Sequence, residues 1–149
     1  MYNFILAITN LTVYFPLLTC WRDDMLTFAT LLFVGSASFI SHLLMSHKHN
    51  LTSSISPEIS WVLNLFDLAG VTLTVSRMIY LAISTETFFA IINYHRPLAH
   101  TTLFVLLLNL VSEQFDGFVY MFLHSIWHIL IFIVMDEWLI YIKHFSKVE

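Results

Sequence analysis

The residues able to do chemistry in this chain are few, and they lie inside its apolar runs. Ser38 and His42 are spaced i, i+4, and so are His124 and His128, so each pair shares one face of a helix. Asp67 is a lone carboxylate within a third apolar run. An ionisable group at bilayer depth costs roughly 2.5–3.5 kcal/mol on insertion scales, so it points inward and takes a partner. Three neutral imidazoles and a water make a catalytic zinc arrangement. A metal so held lowers the pKa of its water to about 7. The expected ligands are His42, His124 and His128, with zinc as the cofactor. Asp67 would orient the water or act as general base. Ser38, one turn from His42, would hydrogen-bond a ligand, the water or a developing oxyanion. The plainer reading of any one buried histidine is a hydrogen-bonded packing residue; it is the combination that points to a metal.

These groups need a membrane scaffold to position them. The 149 residues are 58% hydrophobic and 11% charged, with mean hydropathy +0.80, whereas a soluble domain carries roughly 25% charged residues. The fold class expected is an all-α, polytopic transmembrane helical bundle, forming a single domain over residues 1–149. A helix crosses a bilayer core with about 20 apolar residues. Five spans are expected: 4–21, 25–46, 59–83, 86–113 broken near Pro97, and 117–142. Six spans, with the third or fourth region split, is the runner-up. Residues 4–21 are read as a retained helix rather than a signal peptide, because Met1-Tyr2-Asn3 has no positive charge. Asp24 is placed to cap the second helix, and Ser84 to Thr87 to stop the third and start another.

Depth links the spans to the site. His42 lies four residues before the end of its run, Asp67 eight residues into the next, and His124 seven residues into the last. At about 1.5 Å per residue, all sit roughly 6–12 Å below a membrane face. With five spans this is the same face for all of them; with six, the last pair would fall at the opposite one. The positions of Arg22, Arg77, Lys143 and Lys147 favour an outer or lumenal N-terminus and a cytoplasmic C-terminus, with Lys48 outside and Arg96 mid-span. Asn50-Leu51-Thr52 would then be an outward glycosylation acceptor, while Asn10-Leu11-Thr12 is inaccessible inside the first helix.

Three motifs occur in order: Ser38-x-x-x-His42, Phe66-Asp67-Leu68-Ala69-Gly70, and His124-Ser125-Ile126-Trp127-His128. Together they resemble the membrane superfamily of alkaline ceramidases, adiponectin-type receptors and GPI-processing proteins. The likeness is strongest to the branch containing myomaker and the GPI-anchor-trimming phospholipase. It covers about residues 25–83 and 112–135. The resemblance implies zinc on His42, His124 and His128, with Ser38 and Asp67 at the active site, and lipid amidase or phospholipase activity in enzymatic members. That superfamily has seven spans. Here 57 positions separate Asp67 from His124, room for one span where the superfamily has three.

The expected function is therefore a zinc-dependent intramembrane hydrolase acting on an amide or ester of a membrane lipid. Two alternatives stand beside it. One is a non-enzymatic protein of the same scaffold in fusion or lipid remodelling; the other is a haem-binding subunit of an electron-transfer complex. The small net charge of −4, with no basic stripe, excludes nucleic acid as a partner. Membrane lipids are the expected partners, with a second copy or another subunit completing the shortened bundle. The lone Cys20 rules out an internal disulfide and a cysteine metal cluster. His47 and His49 are read as solvated, with surface metal binding the sharper alternative. His144 is read as juxtamembrane. His95, Arg96 and His100 either line a polar cavity or mark a break. Trp21, Trp61 and Trp138 are read as interfacial anchors, and Trp127 as shaping the pocket.

Overall fold

The computed structural model describes residues 2–44 and 55–145. The protein is a bundle of α-helices, with no strand among the described residues. The first span consists of α1 (Tyr2–Thr9), a 3-10 turn (Asn10–Val13) and α2 (Tyr14–Cys20). Then follow α3 (Met25–Leu44), α4 (Pro57–Ser84), α5 (Thr87–Tyr94), α6 (Arg96–Ser112) and α7 (Gly117–Phe145). Four stretches are long and apolar enough to cross a membrane: Asn3–Cys20, Met25–Leu44, Glu58–Ser84 and Gly117–His144. Large apolar side chains such as Phe4, Leu26, Trp61 and Phe89 face outward, as a lipid-immersed bundle requires. His47, Lys48, His49, Asn50-Leu51-Thr52, Lys147 and the expected end of the second span at 45–46 lie outside the described residues.

The local chemistry explains the elements. Pro16 has no N–H to bond the Thr12 carbonyl, and the chain tightens into the 3-10 turn just before it. Asp24 caps α3, accepting the Thr27 N–H at 3.0 Å. Ser56 caps α4 ahead of Pro57 at its first position. Thr27, Leu31, Val34, Gly35, Ser38 and Ser41 are the buried positions of α3, recurring about every 3.5 residues as one stripe.

Small residues set the helix spacing. A Cβ on Gly70 of α4 would stand 2.9 Å from the Val34 Cα of α3, and one on Gly35 would stand 2.7 Å from Val13 Cγ1. The α3–α4 contact is thus a close backbone approach of the small-residue kind that membrane helices use. Because Val34 Cα cannot rotate away, Gly70→Val is expected to destabilise the bundle by about 1–3 kcal/mol. Thermal unfolding in detergent micelles measures it, and an unchanged midpoint would mean the helices part freely.

The region expected as one span broken in its middle is instead two separate helices. At 8 residues, α5 rises only about 12 Å and cannot cross; α6, with 17 residues, rises about 25 Å, at the short end for a span. The chain breaks at His95, and Pro97 sits in the first turn of α6, where a proline is tolerated. The α6–α7 pairing fixes where that break lies. Ser112 meets His124 at one end, Trp138 Nε1 donates to Thr102 Oγ1 at 2.9 Å further along, and His95 packs edge-on against Tyr141 at the other end. Arg96 is therefore at the end of the bundle opposite His124, not mid-span. His95, Arg96 and His100 are exposed and line neither of the cavities beside His128. The Trp138 indole also ties α7 to α6.

A polar cluster closes the end opposite the histidines. Arg77 donates to Asp24 Oδ2 at 2.8 Å and to Thr27 Oγ1 at 3.0 Å, and Lys143 pairs with Asp23 at 2.6 Å. Lys143 also donates to the Thr19 carbonyl, and Thr19 to Asp136. Arg77 thus takes Asp24 as its partner, not Asp67. Burial opposes the charge of Asp24, but hydrogen bonds from the Thr27 hydroxyl and N–H and from Arg77 outweigh it and hold its carboxyl below the usual range. A folded pKa below the unfolded value of about 3.9 adds stability that is complete above that pH and lost as pH falls through the folded pKa. Unfolding temperatures measured from pH 6 downward should fall below about pH 4 in the wild type, and Asp24→Asn should flatten that decline.

Candidate metal centre

Two helices carry the histidines and meet at one end of the bundle. His42 stands in the last turns of α3, and His124 and His128 one turn apart on α7. The first span enters the same layer through Leu6 and Thr9. Ring centroids lie 5.3 Å apart for His42 and His124, 4.8 Å for His42 and His128, and 4.7 Å for His124 and His128. One ligand nitrogen from each lies within 4.8 Å of the others. Around a tetrahedral zinc at 2.0–2.1 Å, such atoms stand roughly 3.3 Å apart, so the three rings would draw in by about an ångström. His124 and His128 are buried, and His42 is half-buried.

The surroundings suit a cation held by neutral imidazoles. His128 Nε2 is buried and makes no hydrogen bond, an arrangement that costs free energy unless something binds that nitrogen. Its Nδ1 stands 3.0 Å from Thr9 Oγ1 and 3.4 Å from Asn10 Nδ2. His124 Nδ1 stands 3.1 Å from Ser112 Oγ and 3.8 Å from a Glu113 carboxylate oxygen. Tyr120 stacks on His124 with centroids 4.8 Å apart, and the Trp127 ring lies 4.9 Å from His124 and 5.0 Å from His128. Trp127 thus forms a wall of the site, as its place within the His-x-x-x-His motif suggests. Three histidines with a bare buried nitrogen among them form a fitting donor set for a divalent metal ion.

All five residues singled out in the sequence line one cavity of about 240 Å³: Ser38, His42, Asp67, His124 and His128. A second, more apolar cavity of about 140 Å³ continues from it, sharing Ser38, Val71, Asn109, Trp127 and His128. Both are walled by α4 on one side and α6 on the other, yet α4 packs on α3 and does not meet α6. The two cavities therefore lie in a cleft between α4 and α6.

Several residues of the site escaped the sequence reading. Thr9, Asn10, Ser112, Glu113, Asn109 and Tyr120 all border the histidines or the cavity. Asn10 offered a signal, being an amide inside an apolar run and so in need of a partner. Ser112 and Thr9 offered none, because small hydroxyl residues are common in membrane helices.

Comparison with known proteins adds one finding. The chain is 37% identical over 145 residues, 91% of its length, to the "Uncharacterized protein L282" of Acanthamoeba polyphaga mimivirus, covering 94% of that protein. No family model matches the chain. No solved structure matches it either.

Proposed function

This chain belongs to the same family as that mimivirus protein, and we propose that it is a zinc-dependent hydrolase of membrane lipids, related to the ceramidase, adiponectin-receptor and GPI-processing superfamily. One observation carries the reading: three imidazoles from two helices converge in a cavity that also holds Ser38 and Asp67. His42, His124 and His128 would hold the metal. Zinc suits three imidazoles with an open fourth position. When bound, it would acidify a water molecule and polarise a carbonyl oxygen.

The chain's own groups supply the rest. Asp67 faces the cavity from α4 and serves as the proton acceptor for water attacking an acyl carbonyl. The Ser38 hydroxyl, one turn below His42, donates to the oxygen on which charge develops. The apolar cavity beneath takes the start of an acyl chain, and the α4–α6 cleft admits it sideways from the bilayer. Arg77 and Lys143 lie at the end opposite the histidines, which supports a site on the outer or lumenal side and a cytoplasmic C-terminus. A second copy or a partner subunit would cover the cleft where the superfamily has two further helices. The contact between the three rings favours a single ion over haem, which would hold two of them apart across its plane.

Elemental analysis of gently purified protein tests this reading. The expected result is about one zinc per chain, with fatty acid released from vesicles carrying amide- and ester-linked acyl lipids. Chelation should abolish that release and added zinc restore it. A metal-free preparation, from a purification that retains zinc in other three-histidine proteins, overturns it.

A further inference from the structure

Two hydroxyl side chains sit behind the histidines in the same arrangement. Thr9 Oγ1 donates to the Leu6 carbonyl at 2.8 Å and stands 3.0 Å from His128 Nδ1. Ser112 Oγ donates to the Asn109 carbonyl at 2.8 Å and stands 3.1 Å from His124 Nδ1. Each hydroxyl has one proton, and in both cases the carbonyl three residues earlier takes it. What remains to face the imidazole is a lone pair. The nitrogen opposite must then carry the hydrogen, as Nδ1–H donating to oxygen. A neutral imidazole protonated at Nδ1 has its free lone pair at Nε2. That is the nitrogen of His128 found buried and unbonded.

The geometry points to Thr9 and Ser112 as positioning residues that fix the proton of His128 and His124 on Nδ1 and so aim both Nε2 lone pairs at the metal. This deepens the zinc reading above and rests on it for the metal itself. At His124 a second acceptor supports the same tautomer, because a Glu113 carboxylate oxygen lies 3.8 Å from Nδ1 and has no proton to give when ionised. At His128 the rival is Asn10, whose Nδ2 is 3.4 Å from Nδ1; one of its two hydrogens goes to Leu6 O at 3.1 Å, and the Thr9 contact with Nδ1, at 3.0 Å, is the shorter of the two. The two devices come from different helices. One lies where the first helix tightens before Pro16, the other in the last turn of α6. The metal-ligating tautomer is thus set by elements that supply no ligand themselves, a role in which outer partners change metal affinity by about 10–100-fold.

The test uses the full chain in detergent with 15N-labelled histidine. In the metal-free protein, His124 and His128 are expected to show a protonated Nδ1 and an unprotonated Nε2. The reverse tautomer at both rings overturns the proposal, whether or not the protein binds zinc. Absence of zinc binding would instead sink the hydrolase reading and leave the nitrogen shifts to decide this one. Titration with cobalt(II), read by its visible absorption, supplies the second measurement. Thr9→Val and Ser112→Ala should each weaken binding about 10–100-fold, with Thr9→Ser restoring it and Asn10→Leu close to wild type. Unchanged affinity in both hydroxyl variants, or loss in Asn10→Leu alone, also overturns it. Should a variant fail to fold, the nitrogen shifts of the wild type decide.

Discussion

His128→Ala is expected to purify with less than about a tenth of the zinc of the wild type, since two histidines and water cannot replace a three-nitrogen set. His128 is the ring whose loss should matter most, being 1% exposed with a buried Nε2 that bonds nothing in the protein. If it were only a packing residue, its removal would lower stability and leave metal content untouched. Alanine also opens a cavity in the bundle, and large-to-small core changes cost about 2–5 kcal/mol, so low recovery alone would not be informative. His42→Ala separates the two effects. That ring is half-buried, near the end of α3, and belongs to none of the apolar clusters that α7 forms. Both variants should lose the metal, His42→Ala with little change in the unfolding temperature of the metal-free protein. Full zinc retention in His42→Ala would remove the three-histidine site from consideration.

Asp67→Asn is expected to keep its zinc and lose lipid hydrolysis by about 10²–10⁴-fold, the span that general acid–base groups contribute. The change is nearly isosteric. It falls on a half-buried residue of a helix that packs on α3 at Gly70 and Thr74. It is also the cleanest division between the hydrolase and a non-enzymatic scaffold acting in fusion or lipid remodelling. A scaffold needs the fold but no base at Asp67. Retained hydrolysis in Asp67→Asn would assign the base elsewhere in the cavity, with Glu113 the other carboxylate lining it. Retained cellular function with hydrolysis abolished would favour the scaffold.

The sequence by itself determined the class of the molecule and the membership of its cavity. Composition and run length settle a helical bundle for lipid, because burial in hydrocarbon tolerates few charges and requires backbone bonds within each segment. The i, i+4 spacings put Ser38 under His42 and His124 under His128, because helix geometry allows nothing else. Depth counted from the run ends placed Asp67 in the same layer, and all five residues do line one cavity. The tertiary structure decided what is non-local. Arg77 takes Asp24 across 53 positions, and His128 meets Thr9 across 119; no local pattern encodes such pairs, since each is set by which helix faces which. The break at His95 was legible from Pro97, but its place at the end of the bundle was not, because only the α6–α7 register fixes it. The sequence named the three histidines; the packing of α1 and α6 against α7 decided which hydroxyls stand behind two of them.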